Sequence, residues 1–277
     1  MARILKQKIK AQPSRDGDGV KISRIAGQAL SPLLDPFLMI DEIESESAND
    51  YIGGFPEHPH RGFETITYMK AGRMRHRDHM GNEGVIGPGD VQWMTAGRGV
   101  LHSEMPEQEE GLMHGFQLWL NLPAAEKLKP AAYRDIRAGE VSYHRDARGN
   151  EFRVVAGRLE INEVTLTGPL PALSTNPFMM DLLVAANEEV ELKLPGYEQV
   201  LVLVYKGSTH SLACKELGFF DAGETVRLTA TSEGCEALVL AGKALREPIA
   251  QYGPFVMNHM HEVEQAVRDF QNGRLVG

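Results

Sequence analysis

The chain of 277 residues has only two cysteines, Cys214 and Cys235. So few thiols in so long a chain exclude a disulfide framework and point to buried thiols in a reducing compartment. Basic charge is also scarce: 29 Lys and Arg stand against 38 Asp and Glu, a net charge of −9. That balance argues against direct nucleic-acid binding, which needs a basic face. No run approaches the roughly 18 consecutive apolar residues of a membrane helix. The opening "MARILKQKIKAQPSRDGDG" has basic residues but neither an apolar core nor a cleavage pattern, so no secretory signal is expected and a cytoplasmic location is the default. Low-complexity segments are absent too.

What is present is an ordinary globular mixture, 42% hydrophobic and 24% charged, cut into short runs by 28 glycines and 15 prolines. "FETITYM", "DVQWMTA", "GFQLWLNL", "EFRVVAG", "QVLVLVYKG", "ETVRLTA" and "EALVLAG" alternate or are β-branched, with turn signals such as "GNEG", "GPGD" and "DAGE" between them. Many short strands at even spacing predict an all-β sandwich or barrel. Two helices are expected. One is "AAEKLKPAAYRDI", broken at Pro130; the other is "EVEQAVRDFQNG", with Asn258 as N-cap and Gly273 as the stop.

The chain echoes itself. "HPHRGFETITYMKAG" is answered by "KLPGYEQVLVLVYKG", and Gly89-Asp90 by Gly223-Glu224, the order expected of a duplicated β unit. In the second copy Lys193 and Pro195 stand where the first has His58 and His60, and Cys235 and Glu236 lie near the place of His102. The chemistry is therefore expected in the first half.

Six of the ten histidines lie between His58 and His114. In a strand, residues i and i+2 share a face, so His58 and His60 present two imidazoles to one side. "GVLHSEM" repeats the device with His102 and Glu104. Two such pairs on adjacent strands would make a site of three imidazoles and one carboxylate, a donor set that suits Fe(II), with Mn, Co, Ni, Cu and Zn as alternatives. Such a site leaves open positions for substrate or dioxygen. Glu64, four residues past His60, competes with Glu104 as the carboxylate, and spacing does not choose between them. His76 and His79 are i, i+3 apart and read as turn or strand-end residues, His76 in contact with a ligand at most. His114 reads as packing or surface. His259 and His261 adjoin a helix start, where i, i+2 side chains diverge.

The strings "HPHRGFETITY", "GDVQWMTAGRGVLHSEMP", "GFQLWLNLPAAEK" and "GPFVMN" resemble the pirin family of the cupin superfamily, most densely from Leu34 to Pro123. The resemblance implies two tandem cupin-type (jelly-roll) β-barrels with short helices: an N-terminal metal-binding domain, residues 1–135, and a C-terminal domain without metal ligands, residues 136–277, ending in a helix. It implies that the ligands are His58, His60, His102 and Glu104, leaving Glu64 out. It also implies one divalent metal ion, most often iron. The activity implied is a quercetin 2,3-dioxygenase, which opens a phenolic flavonol with O2 and releases carbon monoxide. The alternative is a non-catalytic, metal-dependent or redox-sensing regulator acting through a protein partner. Under the enzymatic reading Glu104 is the general base. Phe55, Met39 and Trp93 are candidate pocket walls, Gln117 and His76 would hold ligands in place, and Arg98, between glycines before His102, is aimed at the site mouth.

Overall fold

A computed structural model describes residues 1–161, 163–170 and 173–276. The chain divides into two β units, and each recruits a distant terminus. The first contains Gln12–Ala138 and the chain from Leu245 onward; the second contains Met1–Ala11 and Gly139–Ala244. This corrects the cut into residues 1–135 and 136–277. The middle boundary lies within a few residues of its expected place, but both ends cross over, for reasons of pairing and packing. Strand Leu5–Lys10 completes an antiparallel edge on Glu216–Phe220. At the other end, Phe255, Met257, Val263, Ala266 and Leu275 bury themselves with Leu101 of the first unit.

The first unit has two antiparallel sheets. The larger runs Ala132–Ile136, Val91–Thr95, Phe63–Ala71, Met113–Asn121, Phe37–Ser45, Val20–Ala26, Gln12–Asp16; the smaller runs Phe55–His60, Val100–Pro106, Met74–Asp78, Glu83–Ile86. Val20, Ile22, Ile43, Met69 and Met113 from the larger sheet pack on Met74 and Ile86 from the smaller one and close one part of the interior. In the second unit the long strand Thr225–Ala241 pairs with Phe178–Val184, Val200–Thr209 and Glu189–Lys193. It contains both "ETVRLTA" and "EALVLAG", expected as separate strands. Its interior is apolar: Phe152, Val154, Met180, Leu182, Val202, Val204 and Val239 form one cluster around Cys235. Burial pushes the Cys235 thiol up to about 12, so it is an inert packing group.

Two expected helical features differ. "AAEKLKPAAYRDI" holds only a 3-10 turn, Ala124–Glu126, and then the strand Ala132–Ile136. Pairing with Val91–Thr95 overrides the helix propensity of its alanines. The last helix, Met260–Gln271, is capped at His259 rather than Asn258. Glu262 Oε2 reaches back to accept the amides of His259 at 2.8 Å and Asn258 at 3.1 Å. No helix among the described residues is long and apolar enough to cross a membrane.

Candidate metal centre

Strand Phe55–His60 lies antiparallel to Val100–Pro106, with His102 directly opposite His58. The two i, i+2 pairs thus come to adjacent strands, as their spacing predicts. One ring nitrogen from each of His58, His60 and His102 lies within 4.8 Å of the others. The Nε2 atoms of His58 and His60 are 3.0 Å apart. His58 donates from Nδ1 to the Pro56 carbonyl at 2.8 Å, which fixes the tautomer with its Nε2 lone pair facing His60. His102 Nε2 is buried with no hydrogen-bond partner. Its other nitrogen lies 3.5 Å from Nδ1 of His76.

Burial holds His60 and His102 well below the usual histidine range, and neighbouring imidazoles push both further down. They are therefore neutral, the form in which imidazole binds a metal. Nitrogens converging at this range, one of them a buried orphan, fit a cation and are costly without one. The residues present fit a mononuclear divalent ion.

Glu104 is buried but stands outside that nitrogen cluster. Its carboxylate accepts from Thr67 Oγ1 at 3.1 Å and from Gln117 Nε2 at 3.4 Å. Thr67 Oγ1 is also 2.5 Å from Gln117 Oε1. Glu64 takes no part. It points to the other side of its strand, where it accepts from Thr95 at 2.7 Å and from Lys129 at 3.2 Å. The interruption of the strand at Arg61-Gly62, where Gly62 turns with φ +92°, undoes the face-sharing that its spacing from His60 suggested.

A cavity of about 720 Å³ opens onto His58, His60 and Glu104. Its walls include Met39, Phe55, Thr67, Gln117 and Trp119, with Arg24 and Asp41 further out. Trp119 stacks on Phe63 at 4.2 Å and meets the His60 ring edge-on at 5.2 Å.

Met39, Phe55 and Gln117 line this cavity, and His76 touches His102. Trp93 and Arg98 do not line it. Trp93 stands opposite Ile66, on the sheet face away from Thr67, and does not line the cavity. Arg98 is exposed and also absent from the lining, its loop held by the bond from its own amide to the Lys129 carbonyl at 2.9 Å. His79 accepts the Leu101 amide at 3.3 Å, and His259 and His261 sit at the helix start. His114 is buried 3.0 Å from Glu42, on the sheet face away from Gln117. Sequence reasoning missed Thr67, Arg24 and Asp41 as site residues. The one available signal was their strand parity with Gln117 across the sheet.

Comparison with known proteins agrees with this architecture. A Pirin family model matches residues 19–120, and a model of the Pirin C-terminal cupin domain matches residues 179–276. A Pseudomonas aeruginosa protein named "putative quercetin 2,3-dioxygenase" is 48% identical over 95% of this chain and 94% of its own. The chain belongs to the pirin family. A Caulobacter vibrioides pirin-like protein is 41% identical over 96% of both chains. The crystal structure of a quercetin 2,3-dioxygenase from Acinetobacter baumannii superposes with a TM-score of 0.90 at 32% identity, covering 99% of each chain. Both units of this pirin are accordingly cupin domains.

Proposed function

We propose that this pirin is a metal-dependent dioxygenase of the quercetin 2,3-dioxygenase type, with Fe(II) held by His58, His60, His102 and Glu104. The observation that carries the reading is the convergence of three imidazole nitrogens within 4.8 Å of one another, with His58 and His60 facing a cavity of about 720 Å³. The names borne by its relatives at 48% and 44% identity support the same chemistry. Nitrogen and carboxylate donors suit Fe(II), and the volume is that of a site for a flavonol-sized molecule.

When bound, the ion supplies Lewis acidity at the substrate oxygen and an open position for dioxygen. The chain's own residues do the rest. Trp119, Phe55 and Met39 flank a planar aromatic substrate, and Met69, Met113 and Ile43 keep water from the inner wall. Glu104 takes the proton of the flavonol 3-hydroxyl on a carboxylate oxygen. Thr67 and Gln117 hold that carboxylate by one hydrogen bond to each oxygen. His76 packs against His102 and stacks on Tyr133 at 4.5 Å, which limits rotation of the His102 ring.

The test is direct. Protein loaded anaerobically with Fe(II) is mixed with quercetin and oxygen. Loss of flavonol absorbance, abolished in a His58→Ala, His102→Ala double variant, is expected. A loaded protein that leaves quercetin intact overturns the reading.

A further inference from the structure

The cavity wall carries one guanidinium, Arg24, which alone would suggest a receptor for an anionic substrate. Its hydrogen bonds say otherwise. Nε donates to Asp41 Oδ1 at 3.0 Å and Nη2 to Asp41 Oδ2 at 2.7 Å, a bidentate fork on a carboxylate that is 4% exposed. Nη2 also donates to Asp16 Oδ2 at 2.8 Å and lies 3.6 Å from the Met39 sulfur. Arg24 is neutralised before any ligand arrives. The fork also holds its guanidinium firmly ionised and side-on to Asp41.

The other charges on the wall are all acidic. Asp16, Asp18, Asp41, Glu57 and Glu104 line the cavity, five carboxylates against the single arginine, a net −4 that a divalent ion reduces to −2. Asp16, Asp18 and Glu57 are exposed, so they form its rim. The imidazoles of His58 and His60 line the cavity too, His60 beside Trp119. Approach is therefore through a negative field to an aromatic, hydroxyl-accepting interior.

We propose that this mouth selects by charge: it admits uncharged, hydroxyl-bearing aromatic compounds, whose phenolic O–H groups can donate to its carboxylates, and rejects the same skeleton once it carries a fixed negative charge such as a sulfonate. The proposal rests on the flavonol reading above and adds a rule for which flavonols enter. Rim charges act over several ångströms through solvent, so the discrimination is about tenfold at low salt and shrinks as ionic strength rises.

The experiment compares quercetin with its sulfonate by calorimetric titration of the zinc-loaded protein, which measures binding without turnover. The expected result is about tenfold weaker binding of the sulfonate, with the gap closing in an Asp16→Asn, Asp18→Asn, Glu57→Gln variant and in high salt. These three side chains are exposed, so the variant keeps the fold. Equal affinity for the two compounds, or a gap that the variant leaves unchanged, overturns the charge rule while the flavonol reading stands. Binding of neither compound overturns both.

Discussion

Lys127 has a buried ammonium with three carbonyl partners, and replacing it tests how the histidine strand is anchored. Its side chain is 1% exposed. Nζ donates to the Gly62 carbonyl at 2.8 Å, to Asn121 Oδ1 at 2.7 Å and to the Val256 carbonyl at 3.0 Å. Gly62 follows His60 by two residues, so this one side chain ties the end of the histidine strand to the last residue of strand Met113–Asn121 and to the C-terminal segment. In Lys127→Met the chain keeps its volume and loses three donors. Each orphaned carbonyl costs about 1–3 kcal/mol, or roughly 3–9 kcal/mol together. Burial opposes this: it lowers Lys127 from 10.5 to about 8, a penalty of about 3 kcal/mol on the charged form that methionine removes. The orphaned acceptors outweigh that relief, so the variant is less stable at pH 7 by roughly 3 kcal/mol. The pH dependence gives the sharper signature. Between about 8 and 10.5 the unfolded chain holds a proton on Lys127 that the folded chain has released. Native stability therefore rises with pH there, fully gained above 10.5 and lost as pH falls through about 8. The gap between native protein and variant should widen by about 2 kcal/mol from pH 8 to pH 10, read from urea unfolding midpoints. A gap that stays constant across that window would refute the account of Lys127 as a buried cation, and a variant as stable as the native protein would refute the anchor.

Three further outcomes follow from the same contacts. Thr67→Val removes the hydroxyl that reaches Glu104 while keeping the β-branched shape, and should weaken metal binding about tenfold, with Thr67→Ser restoring it; competition with a chelator measures both. The metal-free protein should lose stability as pH falls below 6.5, because unfolding frees His60 and His102 to take protons that burial denies them; equal acid sensitivity in a His60→Asn, His102→Asn variant would contradict this. Gly62→Ala should fail to fold or lose several kcal/mol, since its φ is +92° and an added Cβ would sit 1.9 Å from the Val256 carbonyl oxygen; circular dichroism during thermal unfolding decides it.

Legibility in the sequence followed strand parity closely. His58, His60, His102 and Glu104 could be read because each pair fits within one strand, where i and i+2 must share a face. Thr67 and Gln117 meet only because strands 50 residues apart are neighbours, and no local pattern states which strands pair. The two tryptophans make the same point. Trp119 falls on the cavity face and Trp93 on the opposite one. Both stand in strands with buried residues on each face, so hydrophobic alternation gives no direction. The domain ends escaped for a related reason. The strand Leu5–Lys10 and the helix Met260–Gln271 are recognisable as elements, but their partners, Glu216–Phe220 and Leu101, are settled by packing alone.

The duplicated barrels show what a cavity requires of the fold that contains it. In the second unit the inward row of its central strands is Val202, Val204, Met180 and Val239, all buried in one apolar cluster. The first unit places Gln117 against Asp41 and Thr67, and Trp119 against Met39, around open space. Hollowing a barrel in this way removes close-packed contacts and leaves polar groups that must be satisfied. The first unit satisfies part of the polar demand locally. Glu104 accepts from Gln117 and faces the Thr67 hydroxyl, whose one proton is shared with Gln117 Oε1, and Arg24 is matched by Asp41. Packing lost from the interior is recovered on the outside, where the chain from Leu245 onward seals the strands that carry the histidines. Arg61, next to His60, pairs with Asp269 at 2.7 Å, and the Val256 carbonyl accepts from Lys127. The corresponding strands of the second unit are backed by their apolar cluster instead. That asymmetry gives a physical reason for the C-terminal segment to leave the barrel it follows in sequence and close the one that holds the proposed metal.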